Sequence, residues 1–106
     1  MSANTVCHHG ITFDHEAIES FCLKNGIKKL SLFGSVLRDD FGPDSDIDVL
    51  VEFMPEERVG FFRLYDIMEE LSSMFGGRKI DLRTPGDINK SLQAKVFNEA
   101  EVQFER

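Results

Sequence analysis

The sequence predicts an α/β fold, in the broad sense that includes α+β: one small mixed β-sheet with helices packed on it. Three observations predict it. Segments of helical and strand periodicity alternate along the chain in the order α-β-α-β-α-β-α-(β), which requires layered packing of helices on a sheet. The composition, 42% apolar and 29% charged, is that of a globular protein. The length of 106 residues suits a single core and leaves little for a second one. No repeat or low-complexity segment interrupts the pattern.

Each element has its own signal. Residues 1–10 lack periodicity and read as a mobile N-terminal arm, leaving 11–106 as the folded domain. Cys7, His8 and His9 lie in that arm and are assigned no function. From Asp14, the apolar positions Ala17, Ile18, Phe21 and Cys22 share one helical face, and Asn25-Gly26 is a natural stop, giving a helix over 14–25. Ile27 to Phe33 reads as a strand closed by Gly34-Ser35. Val36 to Asp40 has room for about a turn of helix, and Phe41-Gly42-Pro43-Asp44 is a turn. Asp46 to Phe53 is the best strand in the chain, ended by Met54-Pro55 because proline cannot extend a ladder. Between Gly60 and Phe75, residues Phe61, Leu64, Tyr65, Met68, Leu71 and Phe75 keep helical spacing, with Gly76-Gly77 as the stop. Lys79 to Arg83 is a short strand and Thr84-Pro85-Gly86 a turn. Ile88, Leu92 and Val96 mark a last helix starting near Asp87 or Asn89, and Val102 and Phe104 alternate as an edge strand.

Composition also excludes classes of function. A net charge of −7 opposes condensation onto a polyphosphate backbone, so stable nucleic-acid binding is not expected. No apolar run approaches the ~20 residues of a membrane span, and the first ten residues lack the basic-then-apolar order of a secretory signal, which makes the cytoplasm the default location. Cys7 and Cys22 read as free thiols.

The chemistry concentrates in residues 32–49. A Gly34-Ser35 pair ends one apolar run, and after ten further residues Asp46-Ile47-Asp48 sits inside another. Side chains alternate along a strand, so Asp46 and Asp48 project from one face while Ile47, Val49, Val51 and Phe53 take the other. Aspartate is among the poorest strand formers, and a merely wet face would carry Thr, Lys or Glu instead. Two carboxylates on one face suit a hard cation such as Mg²⁺ that keeps phosphate oxygens in its shell. By the same parity Asp81 faces away from Ile80 and Leu82 and is the best third carboxylate, although Lys79 and Arg83 flank it and are able to neutralise it. Gly34 allows close backbone approach to an anion and Ser35 offers a hydroxyl, at a strand end where unpaired N–H groups collect. Arg38, one turn on, supplies fixed positive charge or else pairs with Asp40 or Asp44. Asp44-Ser45-Asp46-Ile47-Asp48 also begins like a calcium loop, but Val49 replaces the sixth-position glycine and Pro55 the twelfth-position glutamate.

Phe33-Gly34-Ser35, ten residues, then Asp46-Ile47-Asp48-Val49 resembles the signature of the DNA polymerase β-like nucleotidyltransferase superfamily. Within it the chain is similar to the minimal nucleotidyltransferases, the MNT or MntA group of antitoxins. The match covers nearly residues 30–82. The resemblance implies a polymerase β-like fold over 11–106, with Asp46 and Asp48 holding two Mg²⁺ ions, Asp81 completing the catalytic metal site, and Gly34 and Ser35 holding the triphosphate. Arg38 and Ser45, within the same signature, join them as phosphate-binding candidates. It further implies transfer of AMP from ATP to a hydroxyl, a tyrosine of a HEPN-domain toxin partner. A chain of this length offers no second domain to grip another acceptor. One departure is visible: the residue after the motif arginine is commonly Gly in this group and is Asp39 here, which bears on the geometry of that loop. The alternative from another class is an inactive antitoxin that silences its partner by binding alone.

Overall fold

Period-two patterning turns the middle of the chain into a sheet and period-3.6 patterning supplies its cover. The computed structural model describes residues 5–8, 11–34 and 46–106. Its elements in order are β1 (Thr5–His8), β2 (Ile11–Asp14), α1 (His15–Lys24), β3 (Ile27–Phe33), β4 (Ile47–Phe53), α2 (Phe61–Met74), β5 (Ile80–Arg83), a 3₁₀ turn (Pro85–Asp87), α3 (Lys90–Glu99) and β6 (Glu101–Glu105). The expected short helix at Val36 to Asp40 and turn at Phe41 to Asp44 lie outside the described residues.

The main sheet has the order β5-β4-β3-β6, with β4 parallel to β5 and the other neighbours antiparallel. This is the mixed sheet expected. Cross-strand partners share a face, so Leu30 opposite Val51, Leu32 opposite Val49 and Ile47 beside Ile80 build one apolar side. Onto it pack Ile18, Phe21 and Cys22 of α1 and Ile67 and Leu71 of α2, all buried. Phe13 and Phe75 close one end with their rings 5.1 Å apart and edge-on. The opposite face carries Ser31, Phe33, Asp48, Leu50, Asp81 and Arg83 by the same registers. The core therefore lies on one side of the sheet and the chemistry on the other.

Two expectations are corrected. The sequence pattern predicts no regular element before residue 14, yet Thr5–His8 pairs antiparallel with Ile11–Asp14, Thr5 meeting Asp14 and His8 meeting Ile11. Ile88 precedes the last helix instead of belonging to it, because Asp87 caps Thr84: Thr84 Oγ1 donates to Asp87 Oδ2 at 2.9 Å and Thr84 N to the same oxygen at 3.2 Å. The 3₁₀ turn this fixes delays α3 until Asn89, whose side chain accepts from Ser91 N at 2.9 Å. Among the described residues no helix is long and apolar enough to cross a membrane.

Candidate active site

Three adjacent strands bring the described candidate residues to one end of the sheet. β3 ends in Phe33, which lies opposite Asp48, and Gly34 follows it. Asp48 in turn lies beside Asp81 in the parallel pair of β4 and β5. Phe33, Asp48 and Asp81 thus occupy successive strands, about 4.8 Å apart in the hydrogen-bonding direction, with Gly34 just past the end of β3. Asp46 immediately precedes β4, two residues before Asp48.

Gly34 has φ of +72°, a conformation that L side chains rarely adopt, and a Cβ there would run into the Asp48 carboxylate. Only glycine permits that approach. Asp48 itself is half-buried. Asp81 is held by its strand neighbour Arg83, whose Nε donates to Oδ1 at 3.0 Å and whose second guanidinium nitrogen reaches Oδ2 at 3.4 Å. This two-point contact raises the arginine's already high pKa, mainly through the hydrogen bond and then the charge of Asp81. Lys79 Nζ stands 4.0 Å from Asp46 Oδ2. Lysine 79 flanks Asp81 in sequence but sits across from Asp46 because Ile47 pairs with Ile80.

The donor set suits a hard divalent cation: carboxylate oxygens on one face, beside a glycine cradle that a Cβ would fill. Among the described residues, however, no three carboxylate, imidazole or thiolate groups lie close enough together to hold an ion. Ser35, Arg38, Asp39 and Ser45 lie outside the described residues, so of the positions expected to meet phosphate only Gly34 is described.

Two clefts meet at this face. One, of about 270 Å³, is lined by Phe33, Asp48, Ile88 and Leu92 and by Asp81, Arg83 and Asp87. The other, of about 390 Å³, lies between α2 and β5 and shares Asp81, Arg83 and Asp87 with the first. Sequence reasoning missed this second cleft and the part played by Asp87. The signal available was the run of aromatics at 61, 62 and 65, too many for one buried helical stripe.

Acids carried on the open face of a small mixed sheet, where a strand ends in a positive-φ glycine, are the architecture of a polymerase β-like nucleotidyltransferase. The profile of the nucleotidyltransferase domain matches residues 15–103, and the chain belongs to that family. It is a nucleotidyltransferase of the minimal kind. A candidate protein adenylyltransferase of Methanocaldococcus jannaschii is 37% identical over 78 residues, 74% of this chain and 81% of that protein. The structure of a candidate minimal nucleotidyltransferase superposes with a TM-score of 0.67 at 28% identity, covering 81% of this chain and 85% of that one. A chain from a complex of a tri-AMPylated Shewanella oneidensis HEPN toxin with an MNT antitoxin gives a TM-score of 0.61 at 17% identity, over 87% of this chain and 70% of that one, a likeness of fold alone.

Proposed function

We propose that this chain is a Mg²⁺-dependent protein adenylyltransferase of the cytoplasm that moves AMP from ATP to a tyrosine hydroxyl of a HEPN-type toxin, and so acts as the antitoxin of the pair. The observation that carries the reading is that Asp48 pairs with Asp81 across β4 and β5 while Gly34, just past the end of β3, admits the Asp48 carboxylate. The similarity to a candidate protein adenylyltransferase and to a fold found in a toxin–antitoxin complex supports the choice of acceptor.

In this reading Asp46, Asp48 and Asp81 hold two Mg²⁺ ions, with Gly34, Ser35, Arg38 and Ser45 on the phosphates. Bound there, the metal would neutralise charge on the triphosphate and acidify the attacking hydroxyl. The protein's own part is positioning and electrostatics. Arg83 engages both oxygens of Asp81, at 3.0 and 3.4 Å, and feels the charges of Asp87 and Asp48 as well, so an incoming phosphate would compete with these acids for its guanidinium.

That same pairing favours a second reading, a binding-only antitoxin whose third carboxylate stays neutralised by Arg83. The two part on one double substitution. Asp46→Asn with Asp48→Asn removes two like charges and should leave the fold intact while abolishing transfer of label from α-labelled ATP to the toxin. A double variant that is folded by circular dichroism and still transfers label sinks the enzymatic assignment of these residues. Wild-type protein that inhibits the toxin stoichiometrically and labels nothing supports binding alone.

A further inference from the structure

The cleft between α2 and β5 has core-packed residues, Met68 and Leu82, in its wall and exposed aromatics at its mouth. α2 buries Ile67 and Leu71, but its first turn presents Phe61 and Phe62 at 82% and 85% exposure, the two rings edge-on and 6.4 Å apart. Tyr65, one turn further, is also exposed and lines the cleft with Phe61, Leu64 and Met68, while Asp81 and Arg83 come from β5. Large aromatics left in water at a concave surface are the composition of a binding hot spot.

We infer that this cleft seats the acceptor, a tyrosine side chain carried on a basic protein segment; the inference rests on the adenylyltransferase reading above. Displacement at phosphorus sets the attacking and leaving oxygens roughly in line. Phosphates anchored at the Gly34 end of β3 put the leaving pyrophosphate on that side and direct attack from the far side, across β4 and β5. The α2–β5 cleft opens there and contains Asp81 but neither Phe33 nor Asp48. The smaller cleft contains all three and so belongs to the nucleotide. The phenol oxygen bonds to the α-phosphorus, the bond from that phosphorus to the bridging oxygen breaks, pyrophosphate leaves, and the phenol proton passes to water.

Charge selects the segment. Asp66 and Glu69 flank Tyr65 on α2, and their field, that of Glu69 foremost, raises the tyrosine's pKa. Asp87 adds a carboxylate at the shared wall. Within a chain of net charge −7, this mouth favours lysine and arginine around the acceptor and repels acidic sequence.

The probe is a fluorescent peptide with one tyrosine among lysines, compared with a glutamate-flanked version and with a phenylalanine version that cannot accept. Wild-type protein with Mg²⁺-ATP should label the lysine-flanked peptide with kcat/KM about tenfold above the glutamate-flanked one. Phe61→Ser with Phe62→Ser, both exposed and so compatible with folding, should raise the peptide KM at least about tenfold and leave the Mg²⁺-ATP thermal shift unchanged. An equal loss of that thermal shift would assign the cleft to the nucleotide base, and an unaltered peptide KM would leave it without the acceptor; either overturns the inference. Dimerisation of wild-type protein that the double substitution abolishes would give the surface to a second copy and overturn it too. Anisotropy of the phenylalanine peptide without ATP separates the two layers. Binding that the double substitution removes, in a protein that transfers nothing, keeps the cleft and discards the enzyme.

Discussion

Gly34 meets a carboxylate before it meets any phosphate. The sequence suggests this glycine for close backbone approach to an anion, and the structure gives that anion a first identity, the side chain of Asp48. Gly34→Ala faces two penalties, a left-handed backbone costing about 1–2 kcal/mol and a Cβ that displaces Asp48. Urea unfolding should register about that loss, and transfer should fall as far as in Asp48→Asn. Unchanged stability would remove both arguments. Cys22 makes a different residue-level case. It is fully buried, and burial pushes its thiol up to about 12, with Arg106 pulling weakly the other way. The unfolded thiol ionises near its ordinary value of 9.0 while the folded one stays neutral, so its contribution is intact below pH 9.0 and is lost as pH rises toward 12. Wild type should therefore lose more stability than Cys22→Ala between pH 8 and pH 10.5 in denaturant titrations, a window chosen to bracket roughly the first half of that loss. Parallel losses would show that the thiol ionises alike in both states.

Among the elements, those with a single strong period were legible and those decided by partners were not. β3 and β4 follow from alternating apolar positions ended by Gly34 and Pro55, and α1 from Ile18, Phe21 and Cys22 ahead of Asn25-Gly26. The β1–β2 hairpin was missed because each strand has four residues and only the register reveals the match, two residues separating His8 from Ile11. At the site, strand parity put Asp48 and Asp81 on one face, as the register of β4 and β5 does, and the flanking position named Arg83 as a neutraliser of Asp81. That Lys79 serves Asp46 depends on the pairing of Ile47 with Ile80, which no local pattern carries. α3 shows the reverse limit, since its apolar positions keep helical spacing while Leu92 and Phe97 stay exposed. One element-level device is directly testable: Asp14 caps α1, its carboxylate accepting from Glu16 N at 3.0 Å and Ala17 N at 3.4 Å. Asp14→Ala should cost about 1 kcal/mol in equilibrium unfolding, and Asp14→Asn much less.

For the whole molecule, the acidic face links ligand binding to folding. A net charge of −7 with carboxylates on one side of the sheet disfavours a bare triphosphate, which carries charge of the same sign. On the proposed reading Mg²⁺ alone should raise the melting temperature, and ATP should add to that rise only when Mg²⁺ accompanies it. At a hundredfold excess over Kd the combined gain is about 2.7 kcal/mol, a shift on the order of 10 °C. A thermal-shift series in EDTA, Mg²⁺, ATP and Mg²⁺-ATP checks this, and equal stabilisation by ATP in EDTA would contradict it. The sheet order carries a final implication. Among the described residues β5 is an outer strand of four residues, secured on one flank by a parallel ladder to β4, whereas β3 is clasped on both sides. Segments so held open locally at a lower free energy than the core. Asp81 rides on that segment, so on the proposed reading warming would detach the third carboxylate from its neighbours before the central strands open. On the proposed reading, transfer then fails at a temperature set by the four ladder residues of β5, of which Ile80 alone is buried in the apolar interior.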